Sequence, residues 1–281
     1  MKKTLSVLIL LTGCITAFAQ SVPALLIPTD TRSLSMGGVS SIVEAEHLDV
    51  RATYSSWAPS TASNTIAGLD AYIPLAEKFS LFVGGNIFMD KPYSEYDSQG
   101  IIKGEFTPKD LIVSLGGEYR VNAALSFGLK GRFVSSSLAK EAKGSAFCAD
   151  LFATYSTEAF DATLYLSNLG TKIDYGKGSY SLPALVKAFG GYRIVKGLTA
   201  ALELDYLFNG AFMAGVGAEY WIADIVALRA GYHYGDQTKA LPSFASLGIG
   251  AKFAGVSISA TYLTASPTLG NTLMVGLGYN F

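Results

Sequence analysis

Few side chains in this sequence have the chemistry that catalysis or metal binding requires. The chain has two histidines, His47 and His233, and two cysteines, Cys14 and Cys148. None of them belongs to an H-E-x-x-H or paired-cysteine motif, and no G-x-S-x-G nucleophile motif is present. Ser/His/Asp sets can be assembled on paper only because serine is abundant. We therefore predict that the protein is not an enzyme and holds no cofactor.

One short segment has the residue types of a cation site. Glu44, Glu46, His47 and Asp49 are close together in the sequence, and carboxylates and imidazole are common metal ligands. A solvated turn near the N-terminus explains the same residues without a ligand. The sequence favours the turn, so no metal site is predicted.

A second set of charged residues is more informative, because its members are spaced by two within apolar segments. This spacing places them on one face of β-strands. If such strands enclose a lumen, the charges form either a polar conduit or a salt-bridge ladder, since buried charges must be paired. The closely mixed signs favour the ladder. The set comprises Glu118, Lys130, Arg132, Glu203, Asp205, Glu219, Arg229 and Lys252.

Two kinds of small residue share this face. Cys148 has the same parity as Asp150, and we predict that it is an inert thiol facing the lumen. Glycines such as Gly215 and Gly217 lack the strand-then-helix context of a phosphate-binding loop. We expect them to make room inside the lumen.

The elements that position these residues are strands, because apolar residues recur with period two from Asn64 onward. In Asp110–Arg120, for example, Leu111, Val113 and Leu115 alternate with polar or small residues. A fourteenth strand is expected within 36–56. The thirteen strands predicted by alternation are 64–73, 79–88, 110–120, 124–135, 145–156, 159–168, 185–193, 198–207, 211–221, 225–233, 243–253, 255–263 and 271–281.

The connections between these strands alternate between long and short. The long ones are 89–109, 136–144, 169–184, 234–242 and 264–270, and only 208–210 is shorter than the others of its kind. Outer-membrane barrels have short periplasmic turns and longer extracellular loops, whereas a soluble sandwich or lipocalin-like barrel has no reason to sort its loops in this way. The sequence therefore predicts an all-β transmembrane antiparallel barrel of about 14 strands.

The side of each strand that faces lipid follows from the cost of burying charge. In the bilayer every backbone polar group must pair within a closed barrel. The reverse orientation would put Arg132 and Arg229 in hydrocarbon, at about 2–4 kcal/mol for each arginine at the midplane. The apolar face therefore meets lipid. Aromatic residues near strand ends suit the two interfaces; they are Tyr119, Tyr155, Tyr192, Tyr206, Tyr220, Trp221, Tyr232 and Tyr279.

The first residues read as an export signal. Lys2 and Lys3 precede an apolar run, and Ala17-Phe18-Ala19 is a cleavage site, so residues 1–19 are predicted to be removed. Leu11–Cys14 also resembles a lipobox, and lipidation of Cys14 stays open as an alternative. No later stretch approaches the 18 or so apolar residues of a helical span.

Cleavage after residue 19 fixes the charge and organisation of the remaining chain. Loss of two lysines changes the 21 basic residues to 19, against 22 acidic ones, so nucleic acid is not an expected partner. With Cys14 removed, no internal disulfide can form. We divide the mature chain into an N-terminal segment with the first strand, residues 20–63, and the barrel, residues 64–281. Residues before the first strand could pack inside the lumen.

Four places in the chain resemble one family. Pro28–Val39, which includes Asp30, Arg32, Met36, Gly37 and Gly38, resembles the motif that follows the signal peptide in the PorV/PorQ family of Bacteroidetes outer-membrane proteins. The stretch 98–155 is similar to that family's middle. Trp57-Ala58-Pro59 resembles its W-N-P element, with Ala58 in place of asparagine. The last motif comprises Asn168, Leu169, Gly170, Lys172, Tyr175, Leu182 and Pro183.

This resemblance implies a fold and a role. The fold is a fourteen-stranded barrel of the fatty-acid-transporter type. The role is association with type IX secretion and protein transport, through binding of secretion components or exported cargo by loops such as 89–109 and 169–184. The barrel type also allows a channel or transporter for hydrophobic or small polar solutes, which is the alternative function.

The C-terminus predicts how the barrel is assembled. Leu277, Tyr279 and Phe281 lie at every second position up to the last residue, which resembles the signal that the barrel assembly machinery selects. We therefore expect an integral protein of the bacterial outer membrane, with both termini periplasmic and with lipid and the assembly machinery as partners.

Overall fold

The computed structural model describes residues 21–40 and 47–281 and confirms an all-β fold, a closed antiparallel barrel of 14 strands. Each barrel strand pairs with its neighbours, and the first strand closes the sheet by pairing with the last. The barrel strands are β1 (Asp49–Trp57), β2 (Asn64–Ala76), β3 (Phe79–Met89), β6 (Lys109–Arg120), β7 (Leu125–Ala139), β8 (Ala142–Ser156), β9 (Phe160–Gly170), β12 (Leu185–Val195), β13 (Leu198–Leu207), β14 (Phe212–Ile222), β15 (Val226–Tyr234), β16 (Phe244–Phe253), β17 (Val256–Thr264) and β18 (Leu273–Asn280).

The remaining elements are short. Two small hairpins lie in the connections, β4 (Tyr93–Tyr96) with β5 (Ile102–Phe106) and β10 (Ile173–Asp174) with β11 (Ser179–Tyr180). Within the described ranges, a 3₁₀ turn (Pro23–Leu26) and helix α1 (Thr31–Ser35) precede the barrel. No helix in these ranges is long and apolar enough to cross a membrane.

The predicted strands correspond to the observed ones, and the fourteenth is β1, at the end of the interval 36–56. The predicted long loop 136–144 is wrong. There, β7 and β8 continue to Ala139 and Ala142 and leave only Lys140 and Glu141 between them. The serines at 135–137 break the apolar alternation, but their backbones still pair with β8. Polar strands of this kind carry no period-two signal.

The two faces of the strands are sorted as the parity argument requires. On β13, Leu202 and Leu204 point outward and are exposed, whereas Glu203 and Asp205 point inward and are buried. Trp221 corrects the predicted aromatic belt. It lies inward on β14, with the Lys252 Nζ 4.5 Å from its ring centroid.

The connections define two ends of the barrel. The long-loop rim carries the segments 58–63, 90–108, 171–184, 235–243 and 265–272, while the short-turn rim carries tight turns such as 77–78 and 254–255. β1 begins and β18 ends at the short-turn rim, where the Phe281 N–H donates to the Leu48 carbonyl at 2.9 Å.

Residues 21–40 lie inside the barrel and are called the plug below. The Ser21 N–H donates to the Ser181 carbonyl at the long-loop rim. Thr31 contacts Ser259 on the inner wall, and Ser40 reaches Glu203 further along the chain. The plug therefore descends from the long-loop rim toward the middle of the lumen. The predicted signal peptide with Cys14, and the candidate cation ligands Glu44 and Glu46, lie outside the described residues.

The C-terminal aromatic residue carries the first testable prediction. Phe281 is exposed and packs edge-on against Tyr279, with ring centroids 4.6 Å apart. The outward-facing side chain suits the interface and the assembly signal alike. We expect Phe281→Asp to lower the amount of heat-modifiable barrel in the outer membrane, whereas Phe281→Tyr should preserve it. Equal amounts of folded protein from both variants in membrane fractions would contradict the prediction.

Candidate functional site

The lumen is sealed at the long-loop rim by apolar side chains. Val22 and Ala24 of the plug are buried there, together with Leu182, Leu241 and Leu269 from three long loops. This apolar seal continues onto inner-wall residues such as Phe244 and Leu263, both fully buried. Local polar contacts hold the loop that carries Leu241. There, the Asp236 carboxylate accepts hydrogen bonds from Thr238, which keep its pKa below the ordinary range.

Below the seal, helix α1 is fixed to the barrel wall through backbone groups. The Asp30 carboxylate caps the helix by accepting from the Ser33 N–H at 2.8 Å, as an N-cap does. The hydroxyl of Thr261 donates to the Thr31 carbonyl at 2.8 Å, and that of Ser246 to the Ser35 carbonyl at 2.9 Å. Both hydroxyls come from inward positions of neighbouring strands, so a five-residue helix is held by its surroundings rather than by its own length.

An ion-pair bridge ties the plug to β14 and β15. The Arg32 guanidinium donates to both oxygens of the Glu219 carboxylate, at 2.9 and 3.2 Å. On the other side, the Nε of Arg229 donates to Glu219 at 2.6 Å. Glu219 is buried, and the two arginines satisfy a carboxylate that would otherwise be costly to bury.

After helix α1 the plug lies in a groove made of glycines. Gly215, Gly217 and Gly231 face inward on β14 and β15, and a Cβ on Gly217 would lie 2.6 Å from the Cβ of Met36. Gly37 itself approaches the backbone of Tyr232, where a Cβ would lie 2.7 Å from its nitrogen. We call Gly215, Gly217 and Gly231 the glycine groove. Its glycines give the plug direct access to the wall.

The turn within the groove also depends on glycine. Gly37 and Gly38 both have φ of +78°, a region in which residues with a Cβ are strained. The Gly37 N–H donates to the Ser246 hydroxyl oxygen at 3.0 Å, and the His233 Nδ1 lies 3.2 Å from the Gly37 carbonyl. The two glycines therefore let the plug turn while its backbone groups bind the wall.

The end of the plug meets a second charged cluster. The Ser40 N–H donates to the Glu203 carboxylate at 3.0 Å, and the Lys187 ammonium donates to the same carboxylate at 2.6 Å. Lys187 is 3.9 Å from Asp205. Lys187 points inward on β12, as strand parity alone predicts, although it is absent from the predicted set of lumenal charges.

A third cluster forms at a β-bulge. Ser167 and Asn168 on β9 together oppose Asp150 on β8, and Asn168 has a φ of +58°. The Asp150 carboxylate accepts from the Asn168 N–H at 2.9 Å and is paired with Arg132, which also donates to the Asn168 side chain at 2.8 Å. The Asn168 amide donates to the Pro183 carbonyl at 3.0 Å. The bulge thus joins two strands to the loop that follows β9.

Removal of the Asp150 carboxylate is expected to destabilise the barrel. Asp150→Ala would leave the Arg132 guanidinium and the Asn168 N–H without their partner in a buried site, at about 3–5 kcal/mol. Guanidinium unfolding in detergent, followed by loss of the heat-modifiable band, should show a lower midpoint. Asp161→Ala is the matched control. Its partner Arg193 lies 2.9 Å from the Asp161 carboxylate and is one-third exposed, so solvent screens this pair. Equal midpoints for both variants would contradict this account.

The plug separates two spaces in the lumen. On the long-loop side, an inner cavity of ≈ 300 Å³ lies beneath Leu25 and Ile27. On the short-turn side, a vestibule of ≈ 790 Å³ opens between charged walls. Asp30 and Ser40 line both spaces, so the plug is the barrier between them.

The other sequence-predicted residues are distributed around these features. Glu118 and Lys130 point inward on β6 and β7, and Lys252 does so at the end of β16. Cys148 is buried at an inward position. Trp57 is buried at the end of β1, and Pro59 follows it. Leu169 and Gly170 end β9, and Lys172, Tyr175, Leu182 and Pro183 lie in the loop after it.

The loop after β9 belongs to the seal. The hydroxyl of Tyr175 lies 2.9 Å from that of Ser136 and 3.0 Å from that of Ser21 in the plug. Ile173 and Leu182 are buried. Part of the segment 169–184, predicted to be a surface for partners, thus packs into the mouth of the barrel, while residues such as Lys172 and Lys177 stay exposed.

The fold is similar to solved structures of hydrocarbon channels. The CymD monoaromatic hydrocarbon channel shares 14% identity at a TM-score of 0.62, over 91% of this chain and 98% of that one. The Ralstonia pickettii toluene transporter TbuX shares 11% at 0.61, over 92% and 100%. The P. putida toluene transporter TodX shares 12% at 0.62, over 89% and 98%. These structures are transport channels rather than enzymes.

No family model matches the chain. No curated protein matches it.

These findings overturn the predicted membership of the PorV/PorQ family of Bacteroidetes. The similar structures are hydrocarbon channels, and no PorV/PorQ model matches. The fatty-acid-transporter type of barrel fits in part, but the assignment to type IX secretion and protein transport is wrong. The motif residues Asp30, Arg32, Gly37 and Gly38 have local structural roles in seating the plug. Such roles explain the short resemblances without a secretion function.

Proposed function

We propose that this protein is an outer-membrane channel for small hydrophobic molecules. The observation that carries the proposal is the composition of the lumen along its axis. Apolar side chains of the plug and loops close the long-loop rim, and the inner cavity and the charged vestibule follow behind them.

The apolar seal favours hydrophobic solutes over polar ones. A polar solute that enters among Val22, Leu182 and Leu241 loses its hydrogen bonds to water, which costs several kcal/mol per unsatisfied group. A hydrocarbon gains about 25 cal/mol for each Å² of apolar surface removed from water. The names of the similar structures, a monoaromatic hydrocarbon channel and toluene transporters, make toluene a suitable probe.

The proposed route runs from the long-loop rim to the short-turn rim. A solute would pass the seal, enter the inner cavity, and leave past Asp30 and Ser40 into the vestibule. Short turns are periplasmic in barrels of this kind, so the route leads inward and the C-terminus is periplasmic. Ser21, the first described residue, lies instead at the long-loop rim, opposite to the side predicted for the N-terminus. Lipid contacts the apolar outer face, and the barrel assembly machinery inserts the protein.

Uptake of radiolabelled toluene tests the function. Cells without hydrocarbon channels of their own would be compared with and without the protein, at limiting toluene concentration. We expect faster initial uptake with the protein, and slower uptake when Leu241→Asp places a charge in the seal. Ile101→Asp is the control, because Ile101 is an exposed loop residue. Unchanged toluene uptake, together with faster entry of a polar tracer of similar size, would favour the polar-solute alternative and overturn the proposal.

A further inference from the structure

Two buried side chains on the wall of the inner cavity have polar atoms that the protein leaves unused. They are Oδ1 of Asp205 and Nε2 of His233, which have no hydrogen-bond partner among the described residues. Asp205 is 6% exposed and His233 4%. Most buried polar atoms are satisfied, and an unsatisfied one is costly. These atoms therefore indicate a polar occupant of the cavity.

Both atoms are acceptors. The His233 Nδ1 faces the Gly37 carbonyl at 3.2 Å, and a carbonyl can only accept, so we assign the ring proton to Nδ1 and leave Nε2 as an acceptor. Asp205 is a carboxylate with a free oxygen. The occupant must therefore donate hydrogen bonds.

The two acceptors lie on β13 and β15, on either side of β14. Asp205 pairs with Met213 on β14, and His233 pairs with Gly215, two residues further along the same strand. A Cβ on Gly235 would lie 3.1 Å from the His233 Nε2, so this nitrogen points along the wall toward the level of Asp205.

The cations around the cavity leave the negative charge of Asp205 without a close counter-charge. Arg132 is paired with Asp150. Lys187 lies 2.6 Å from Glu203 but 3.9 Å from Asp205.

Lys130, the third cation that lines the cavity, does not neutralise Asp205 either. Lys130 interacts electrostatically with the Arg132 cation and with three acids, Asp30, Asp70 and Asp150, while the charges that act on Asp205 are those of Lys187 and Glu203. A positively charged donor near Asp205 would complete the balance among the described residues.

The rest of the cavity lining combines polar residues with an apolar side. Leu25, Ile27, Met213 and Leu241 line it on the side of the seal. A volume of ≈ 300 Å³ is at the small end of the range for ligand pockets. The occupant is thus a small molecule with an apolar body and one polar end.

We propose that the inner cavity binds a small protonated amine with an apolar body, its ammonium group donating to Asp205 and His233. This inference rests on the proposed channel function and adds small amphiphilic amines to the hydrophobic molecules that the channel takes up. Neither a plain hydrocarbon nor an organic anion provides the positive donor that the two acceptors require.

A series of four molecules with the same ring separates the possibilities: benzylamine, benzyl alcohol, toluene and benzoate. Binding would be measured by calorimetry on the full protein in detergent at pH 8. Because hydrogen bonds to charged groups are worth more than neutral ones, we expect benzylamine to bind about tenfold more tightly than benzyl alcohol, with toluene and benzoate weaker still. Equal affinities for benzylamine and toluene, tighter binding of benzoate, or no binding of any of the four would overturn the inference.

Two variants locate the site. Asp205→Asn should weaken benzylamine binding about tenfold while leaving toluene binding unchanged. Asp161→Asn is the control, because this acid faces the vestibule and lines no part of the inner cavity. A heat-modifiable gel shift checks that each variant is folded. Unchanged benzylamine affinity in folded Asp205→Asn would overturn the site. If toluene uptake by cells is normal but benzylamine does not bind, only this inference fails; absent uptake with intact binding would instead defeat the channel function.

Discussion

Gly231→Leu is expected to displace the plug and open the lumen. A Cβ at position 231 would overlap the peptide between Met36 and Gly37, and both sides of this contact are backbone. The wall is fixed by its hydrogen-bond ladder, with Gly231 paired to Gly217 and Ser246. The plug must therefore give way. Overpacking costs about 1–3 kcal/mol, which lowers the ratio of seated to displaced plug by about 5- to 150-fold.

Single-channel recording in planar bilayers would measure this effect. The wild-type protein should show rare openings, and Gly231→Leu should show frequent openings of large conductance, because barrels somewhat wider than this one contain aqueous channels when they are not plugged. Cells that carry the variant should also become sensitive to large hydrophilic antibiotics.

Gly190→Leu is the matched control for this prediction. Gly190 lies on β12 and points outward, and a Cβ on it would meet nothing within 4 Å. Gly190→Leu is the same substitution at a position that does not touch the plug, so the conductance of this variant should equal that of the wild type. If folded Gly231→Leu opens as rarely as Gly190→Leu, the glycine groove does not position the plug.

The sequence was sufficient to predict the barrel, because alternation of apolar and polar residues acts locally on every strand. The interval 198–207 illustrates this: Leu202 and Leu204 face outward while Glu203 and Asp205 face inward, and β13 has the predicted bounds. The parity argument works because the cost of a charge in hydrocarbon is large compared with any local preference. Where no such cost applies, as in the polar extension of β7 and β8, the bounds were wrong.

The interior of the barrel was much less predictable. Parity shows that Glu219 and Arg229 face inward, but not that Arg32, far away in the sequence, binds Glu219. Such a contact depends on the path of the plug, and the sequence of the plug has no regular spacing of apolar residues from which that path could be predicted. The glycines were expected to make room, and only the structure shows that residues 36–39 fill that room. The unpartnered atoms of Asp205 and His233 are likewise a property of the assembled lumen.

Family resemblance failed for a related reason. Short motifs such as Met36-Gly37-Gly38 are matched by chains that need the same local geometry. Here that geometry is a turn with two residues at positive φ, seated in a groove. Asn168 similarly provides a bulge residue at positive φ and a link to Pro183. These are requirements of the fold, and they carry no information about the molecules that the barrel handles.

The second large effect is expected from Glu219→Gln, because one carboxylate holds two guanidinium groups. Glutamine keeps the volume but removes the charge, so Arg32 and Arg229 would face each other without an anion between them. Loss of one partner from a buried ion pair costs about 3–5 kcal/mol. The cost of Glu219→Gln should fall below this range, since the Arg32 side chain is 35% exposed to the vestibule and solvent partly screens its charge. Release of Arg32 from the wall relieves the repulsion, so the expected response is displacement of the plug.

Thiol labelling would detect that displacement directly. Ser35 is fully buried on the plug, and in a Cys148→Ser background a Ser35→Cys thiol should react with a maleimide only when the plug leaves its seat. Glu219→Gln should increase the labelling rate, whereas Glu118→Gln should not, because Glu118 points inward but forms no ion pair among the described residues. High salt should raise the rate in the wild type and change it little in Glu219→Gln, since screening weakens a bridge that the variant already lacks. Equal labelling in both variants at low salt would mean that the bridge does not seat the plug, and that the glycine groove and the hydroxyl contacts of helix α1 are sufficient to hold it.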